Sequence, residues 1–498
     1  MIARAVYTSL LLFSSAGAQQ IWDIWVTEYD QSALFQRQTW STPINFVSPG
    51  DIGQADIVVD DGTVYQDIDG FGAALTDSSA QILSSLKSQN SGAYWNLLGS
   101  LFDPTDGADS AALSMLRVPL GASDFSPYAY SYNDEEDTSL SEFSLDAAPW
   151  YLWNTLYDIK SIAGGQLKII VSPWSAPGWM KDSGSMLGGT FLGQYTDTYA
   201  QYLFKSVQGF ANKGFGVYGI TIQNEPENNN PTLPSMLLDA DTEANIASKL
   251  RSLLDNGGFG YTKIIAYDHN WDQAANYPVQ AINDAYDAFT GAAFHCYGGS
   301  VDQQMSFHNA EASKELYFTE CSGTLYTDWW SDIKWNMDTL VIGSLSYFSR
   351  SAMFWNLALD GNGNPKLPGA SSCNNPGCRG VVTVNDDGSY TLNQEYYALA
   401  HGSRAIVPKD PGGPFGQRIG VSVGGYLNYE LQVGAYKTGR STSENTDWNR
   451  YSLVVLNWQD GANGGSASPV QTTIKFRDQQ ATYSFPVGVT TLWWFAEN

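Results

Sequence analysis

Basic residues are scarce in this chain. It has 25 Lys and Arg against 51 Asp and Glu in 498 residues, a formal net charge of −26. That excludes nucleic acid as a partner, because phosphate contacts need Lys and Arg. Anionic membrane surfaces and polyanionic substrates are disfavoured on the same ground. Histidine is limited to four, and the four cysteines have no metal-ligand spacing, so neither a metal nor a cofactor is expected. No run reaches ~18 apolar residues, which removes a membrane-spanning helix. No apolar tail suggests a lipid anchor, and no N-x-S/T acceptor occurs for N-glycosylation. Charged residues make up only 15% against 43% hydrophobic, a balance that excludes wholesale disorder and supplies a sizeable core.

Aromatic residues are plentiful at 14%, with 17 Trp and 29 Tyr. Their faces pack on the C–H faces of sugars, and large cores use them as well. The first residues read as a secretion signal: Arg4 is the positive end, Ala5 to Phe13 a short apolar stretch, and Ala16-Gly17-Ala18 an A-x-A cleavage site. Residues 1–18 are therefore a leader, and a secreted, extracellular chain begins near Gln19. In that oxidising setting Cys373 and Cys378, around Asn-Asn-Pro-Gly, predict a small disulfide. Cys296 and Cys321 each end an apolar run; they are either paired across neighbouring strands or two buried thiols.

Eight apolar runs alternate with helical periodicity through the centre of the chain. The strand candidates are 67–72, 112–118, 167–172, 217–223, 263–267, 292–297, 315–319 and 351–357. Between them lie helix-like stretches such as 78–86, 150–162, 196–213 and 241–254. This is the pattern of an α/β chain folded as a (β/α)8 TIM barrel over 61–405. A doubly wound sheet is the alternative, weakened because GFGAAL (70–75) lacks the spacing of a phosphate loop. After the turn cluster at 408–414 the runs 451–458, 470–476, 481–485 and 490–495 alternate without a helical period, which predicts a β-sandwich domain over 406–498. The acidic run 134–137 reads as a solvated loop face.

Barrel active sites collect at the C-terminal ends of the strands. The fourth run ends in Thr-Ile-Gln-Asn224-Glu225-Pro. A carboxylic acid there can protonate a leaving oxygen, given a raised pKa, and the adjacent amide can bond a sugar 2-hydroxyl. Glu227, past the proline, is a loop or subsite residue. The seventh run ends in Tyr-Phe-Thr-Glu320. A charge at the end of an apolar strand costs several kcal/mol unless solvated or paired, so its place asks for a reason. A second carboxylate facing Glu225 at ~5–5.5 Å would supply one: Glu320 as nucleophile, Glu225 as acid/base, with retention of configuration. In the sixth run His295 and Tyr297 point the same way by strand alternation, and Tyr297 can hold the nucleophile ionised. Trp174 and Trp179 of the third run offer stacking faces, with core packing the alternative for Trp179, and Lys181 a polar rim. Arg117 and Asp124 of the second run would bond sugar hydroxyls or hold Glu225 and its neighbours. Trp355 of the eighth run would floor the cleaved-sugar subsite.

Together DGFGAALTDSSA, LRVPLGASDFS, SPWSAPGWMK, TIQNEPE, HCY, TECSG and FWNLAL resemble glycoside hydrolase family 30, over about residues 60–405. The resemblance implies that Glu225 is the acid/base and Glu320 the nucleophile. It implies a sugar-binding shell of Arg117, Asp124, Trp174, Asn224, His295, Tyr297 and Trp355, with no metal. It also implies that strands from residues 19–60 join the side β-domain. Within the family the chain is most similar to fungal endo-β-1,6-glucanases, which implies a monomer acting on a β-glucan polysaccharide. A β-glucosylceramidase, a β-1,6-galactanase, a xylan-acting enzyme and a non-catalytic wall-binding protein are the alternatives. Arg379, after the cysteine loop, has no secure family position; a role on the leaving-group side is the expectation.

Overall fold

Eight short apolar strands pair in parallel in chain order: Gly70–Ala74 (β1), Met115–Pro119 (β2), Lys168–Ser172 (β3), Val217–Thr221 (β4), Lys263–Asn270 (β5), Gly291–His295 (β6), Glu315–Glu320 (β7) and Ser351–Phe354 (β8). The computed structural model describes residues 19–21, 23–38, 42–373, 375–441, 448–462 and 464–497; the leader expected over 1–18 lies outside them. β8 pairs with β1. Between β7 and β8, Leu316 bridges Ser349, and Ser351 Oγ bonds both the N–H and the carbonyl of Phe318 at 3.2 and 3.1 Å. This brings the ring close to closure. The helices 77–89, 150–163, 196–212 and 240–256 pack outside it, close to where 3.6-residue periodicity predicts them.

Period-two alternation decides what fills the barrel. Met115, Ile170, Ile265, Ala293, Tyr317 and Met353 form one buried layer inside it. Two residues earlier or one turn below, Asp69, Lys168, Lys263, Glu315 and Arg350 form an ion-pair network at the N-terminal end. Two residues later Arg117, Ser172, His295, Thr319 and Trp355 stand at the C-terminal mouth, whereas Tyr267 packs outward against Tyr277. The alternation breaks at two places there. The β5–β6 register shifts between Tyr267 and His269, with Tyr267 and Asp268 at φ +72° and +54°. The β6–β7 register shifts so that His295 lies opposite Glu320. Such bulges re-aim side chains, and here they turn Asp268 and Glu320 into the mouth.

The first run corrects the expected strand at 67–72. Asp67 ends the long strand Ala55–Asp67 of a second sheet, and the barrel strand begins only at Gly70. That second sheet has nine mixed strands, in the order 479–485, 470–476, 55–67, 417–425, 431–438, 448–457, 488–497, 23–28 and 36–37. Hydrogen bonding is continuous, so the sheet is single rather than two stacked ones. It curls on itself: four strands separate Phe476 from Trp494, yet their rings lie 5.3 Å apart, against roughly 24 Å for a flat sheet. Trp494 enters the core enclosed by that curl, while its neighbour Trp493 packs toward the barrel. Buried His401, on the helix Gln394–Ile406, joins the two bodies by bonding Thr491 Oγ1 at 2.8 Å and Thr27 Oγ1 at 2.9 Å.

Candidate active site

Arg117 is the hub of the mouth. It is fully buried. Its Nη1 donates to Glu320 Oε2 at 2.5 Å, and its Nη2 donates to Asp268 Oδ2 at 2.7 Å and Asn224 Oδ1 at 2.6 Å. The guanidinium also lies over the Trp174 ring, 4.6 Å from its centroid. Holding Asn224 by its oxygen leaves that residue's NH2 group for a ligand. Tyr297 donates to the other Glu320 oxygen, Oε1, at 3.0 Å. The strand itself stops at His295, so Tyr297 reaches the site through a bend whose N–H bonds Asn270 Oδ1 at 3.0 Å, not by the strand alternation expected for it.

Glu225 sits in the left-handed region at φ +51°, an uncommon conformation for a non-glycine residue. Its N–H bonds the Asp268 carbonyl at 3.0 Å, and its own carbonyl accepts from Asn228 N at 2.9 Å. His295 Nδ1 faces Glu225 Oε1 at 3.1 Å, and Asn228 Nδ2 donates to Oε2 at 2.8 Å. A ligand atom each from Glu225, His295 and Glu320 lies within 4.8 Å of the others. Two carboxylates and an imidazole suit a divalent cation in principle. Here the oxygens already have donors: Arg117 and Tyr297 on Glu320, His295 and Asn228 on Glu225.

Charge follows from these contacts. Burial works to raise Glu225, but His295, His269 and Asn228 outweigh it and hold the carboxyl at about 2. This corrects the expectation of a raised value: an imidazole and an amide at hydrogen-bond distance favour the anion. Burial pushes Glu320 up, against the pull of His295 and Arg117. His295 has no exposure; burial works against its charged form, but the Glu320 charge and its bonds to Asp268 and Glu225 raise it to about 9. Asp268 is ionised: burial opposes this, and Arg117, His295 and Thr319 overcome it. The Glu225 and His295 shifts both favour an ionised Glu225 beside a protonated His295.

In front of this buried group lies a cavity of about 490 Å³. Asp124, Trp174, Asn224, Glu225, Tyr297, Glu320 and Trp355 all line it; Arg117 and His295 do not and stand behind the carboxylates. Trp174 and Trp355 stack on each other, centroids 4.8 Å apart. Burial, with the charges of Glu320 and Glu225, pushes Asp124 up to about 7, and its Oδ1 has no protein partner among the described residues.

Three further expectations are corrected. Lys181 is no rim residue: it is buried, and its ammonium ties Ser175 Oγ to the carbonyls of Met186 and Ser235 at 2.7–2.9 Å. Trp179 is outside the cavity lining and donates to the Asn133 carbonyl at 2.9 Å. Arg379 is buried and saturated by Glu395, Asp332, Thr324 and Thr327, so it braces the wall at Thr324 and reaches no ligand. Glu227 also falls outside the lining and accepts from Tyr267 Oη at 3.2 Å. Both cysteine pairs are disulfides, 296–321 and 373–378.

Sequence reasoning missed Asp268 and the part of Asn228 at Glu225; it named the loops 228–235 and 359–379 as setting the subsites, without saying which of their residues reach the cavity. Asp268 directly follows the fifth apolar run, so reading the polar residue after every run would have found it. The loop after β8 announces its turn through Cys373 and Cys378 but not its place in the fold. It contributes Ser371, Ser372, Cys373, Asn375 and Pro376 to the cavity and meets the loop after β4, where Ser371 Oγ bonds Asn230 Nδ2 and Thr232 Oγ1, each at 2.9 Å.

Residues 68–406 match the glycosyl hydrolase family 30 TIM-barrel domain. The chain is 34% identical over 390 residues to an endo-1,6-beta-D-glucanase of Neurospora crassa, covering 74% of this chain and 77% of that one. It is 33% identical over 385 residues to an endo-1,6-beta-D-glucanase of Aspergillus fumigatus, covering 72% and 75%. Among solved structures, the endo-beta1,6-glucanase BT3312 superposes with a TM-score of 0.81 at 26% identity, over 96% of this chain and 99% of that one.

Proposed function

Because the chain belongs to glycoside hydrolase family 30, we propose that this glycoside hydrolase is a secreted, retaining endo-β-1,6-glucanase that cleaves β-1,6-glucan through a covalent glycosyl-enzyme. The observation that carries the mechanism is the approach of the Glu225 and Glu320 carboxylates to within 4.8 Å. Retaining pairs stand about 5–5.5 Å apart, whereas inverting pairs leave ~6.5–9.5 Å for a water.

Glu320 attacks the anomeric carbon. Arg117 and Tyr297 keep it ionised and aimed, since each occupies one of its oxygens. Glu225 protonates the departing oxygen, then takes the proton of the water that hydrolyses the ester. Trp174 and Trp355 give the sugar an aromatic wall, Asn224 Nδ2 takes its 2-hydroxyl, and the free Asp124 oxygen a further hydroxyl. The leaving group departs past Asn228, Asn230, Ser371 and Asn375, with Leu233 and Pro376 the aliphatic side chains of the lining among the described residues. Such a polar lining suits a second sugar better than a ceramide, whose chains need an apolar wall. Net charge of −26 suits a neutral glucan better than glucuronoxylan. The two disulfides and the leader read at 1–18 support secretion.

Parallel product analysis on β-1,6-glucan, β-1,3-glucan, glucuronoxylan and glucosylceramide tests the reading. The expected result is short gluco-oligosaccharides from β-1,6-glucan alone, with the β-anomer released first by NMR. Xylo-oligosaccharides with inert β-1,6-glucan would overturn the substrate; the α-anomer first would overturn the mechanism.

A further inference from the structure

His295 stands between two carboxylates. Nε2 faces Asp268 Oδ1 and Nδ1 faces Glu225 Oε1, each at 3.1 Å. While both carboxylates are ionised, the ring is the only donor at either contact. Asp268 is an acceptor throughout, because Arg117, Thr319 Oγ1 at 2.6 Å and Ser172 Oγ at 2.9 Å already donate to it. The hydrogen on Nε2 is thereby fixed. The Nδ1–Oε1 contact then needs one proton, and either atom may carry it without breaking the geometry. A neutral ring beside an ionised Glu225 would set a lone pair against an anion in a buried site, which is costly.

We propose that Asp268, His295 and Glu225 form a proton chain in which His295 stores the proton that Glu225 delivers to the departing oxygen. The inference rests on the assignment of Glu225 as acid/base. On substrate binding the proton passes from Nδ1 to the Glu225 carboxylate, leaving a neutral imidazole held as the Nε2–H tautomer by Asp268. As the C1–O bond breaks, its electron pair goes to the leaving oxygen, which takes the proton from Glu225, while Glu320 bonds to C1. In the glycosyl-enzyme Glu225 is ionised beside a bare Nδ1. The incoming water loses a proton to Glu225, its oxygen bonds C1, and the Glu320–C1 electron pair returns to Glu320. That proton then passes back to Nδ1. The chain begins and ends each turnover with the same proton count.

The groups facing His295 agree with this. Asp268 from β5, Glu225 after β4 and Glu320 from β7 are acidic, and they raise the ring to about 9. His269, with its ring centroid 6.4 Å away, and Arg117, bonded to the same Asp268, oppose them. His295 is thus a positioning residue that acts through Glu225 and never touches sugar.

Two measurements test it. The first uses aryl glycosides of β-1,6-linked glucobiose. His295→Asn and Asp268→Asn should lower kcat/KM about 100-fold or more for a phenol-type leaving group and less than about 5-fold for dinitrophenolate, which needs no proton. They should also move the alkaline limb of the pH profile downward. Equal losses on both leaving groups with an unmoved limb would reduce His295 to a structural residue. The second needs no variant. Imidazole nitrogen NMR at pH 7 should show His295 protonated on both nitrogens in the free wild-type enzyme and on Nε2 alone in the enzyme trapped with a 2-deoxy-2-fluoro dinitrophenyl glycoside of the same disaccharide. A Glu320 adduct with His295 unchanged sinks the proton chain alone. Failure to form any Glu320 adduct removes the catalytic assignment beneath it.

Discussion

Cys296 is disulfide-bonded to Cys321, with Cα atoms 5.4 Å apart, and each is the chain neighbour of a residue that lines the cavity. Tyr297 follows one and Glu320 precedes the other; their side chains meet at 3.0 Å. The bond therefore clamps the ends of β6 and β7 where alignment of Glu320 is decided. Replacing both cysteines by serine should lower stability by roughly 3 kcal/mol, the order expected for a loop of this length. It should also lower kcat about tenfold with little change in KM. Thermal melts and steady-state kinetics on the same preparation check this. An unchanged kcat alongside a lowered Tm would make the clamp purely a stability element.

Glu225→Gln and Glu320→Gln should each reduce glucan turnover by several orders of magnitude while circular dichroism stays that of the wild type, because both side chains face the cavity. The two should part on activated substrates. A dinitrophenyl glycoside needs no protonation, so it should partly restore Glu225→Gln and leave Glu320→Gln inert. Near-wild-type hydrolysis of glucan by either variant would remove the pair from the mechanism.

Arg379 neutralises Glu395, which is almost fully buried, and holds Thr324 at the cavity wall. Arg379→Met leaves that carboxylate uncompensated, a loss of about 3–5 kcal/mol. Arg379→Lys should recover little of it, since one ammonium does not replace a fork that reaches four residues. Urea unfolding midpoints give the answer; a variant within 1 kcal/mol of wild type, on the scale of an exposed pair, would contradict the brace.

Stability should be higher at pH 5 than at pH 8. Burial raises Asp77, Asp124 and Glu243 to about 7. A carboxyl raised on folding contributes stability that is full below its ordinary value near 4 and lost as the pH rises through 7. Asp69 and Glu225, held at about 2, act the other way and give up stability as the pH falls toward 2. His401, which burial lowers to about 3, also favours the neutral side, so the acid-side gain is partial. Glu243→Gln keeps the acceptor for the Tyr267 N–H and should flatten the fall between pH 5 and 8. A Tm that rises over that interval would refute the sign.

Activity should survive exhaustive chelation. The carboxylate oxygens nearest the reaction already accept hydrogen bonds from Arg117, Tyr297, His295 and Asn228, so a cation would have to displace them. Turnover lost to EDTA and restored by one defined divalent ion would show otherwise.

Glu225 and Glu320 were legible because each is a charge set at the end of an apolar run, where only function or pairing offsets the cost. Trp174, Trp355 and Asn224 were legible by the same positional rule. Asp268 also obeys it, but it falls inside a bulge, with Tyr267 and Asp268 in left-handed conformations, and no periodicity announces a bulge. Lys181 and Arg379 looked like solvated or ligand-facing cations, because a sequence does not say which carbonyls and carboxylates from distant loops will surround an ammonium or a guanidinium.

The barrel and the helical wrap follow from the alternation of apolar periods along the chain, since burial of one face is a local requirement that each segment carries in its own residues. Glu225 and Glu320 follow as well, because their position relative to a strand end is local too. The charge balance between His295 and Glu225, the pairing of Cys296 with Cys321 and the wall made where Ser371 meets Asn230 belong to the tertiary structure alone. Each depends on groups far apart in sequence, 70 residues between His295 and Glu225 and 141 between Asn230 and Ser371. Hydrogen bonds and charges act over a few ångströms, so only the closing of the barrel brings these groups within range and sets which of them holds a proton.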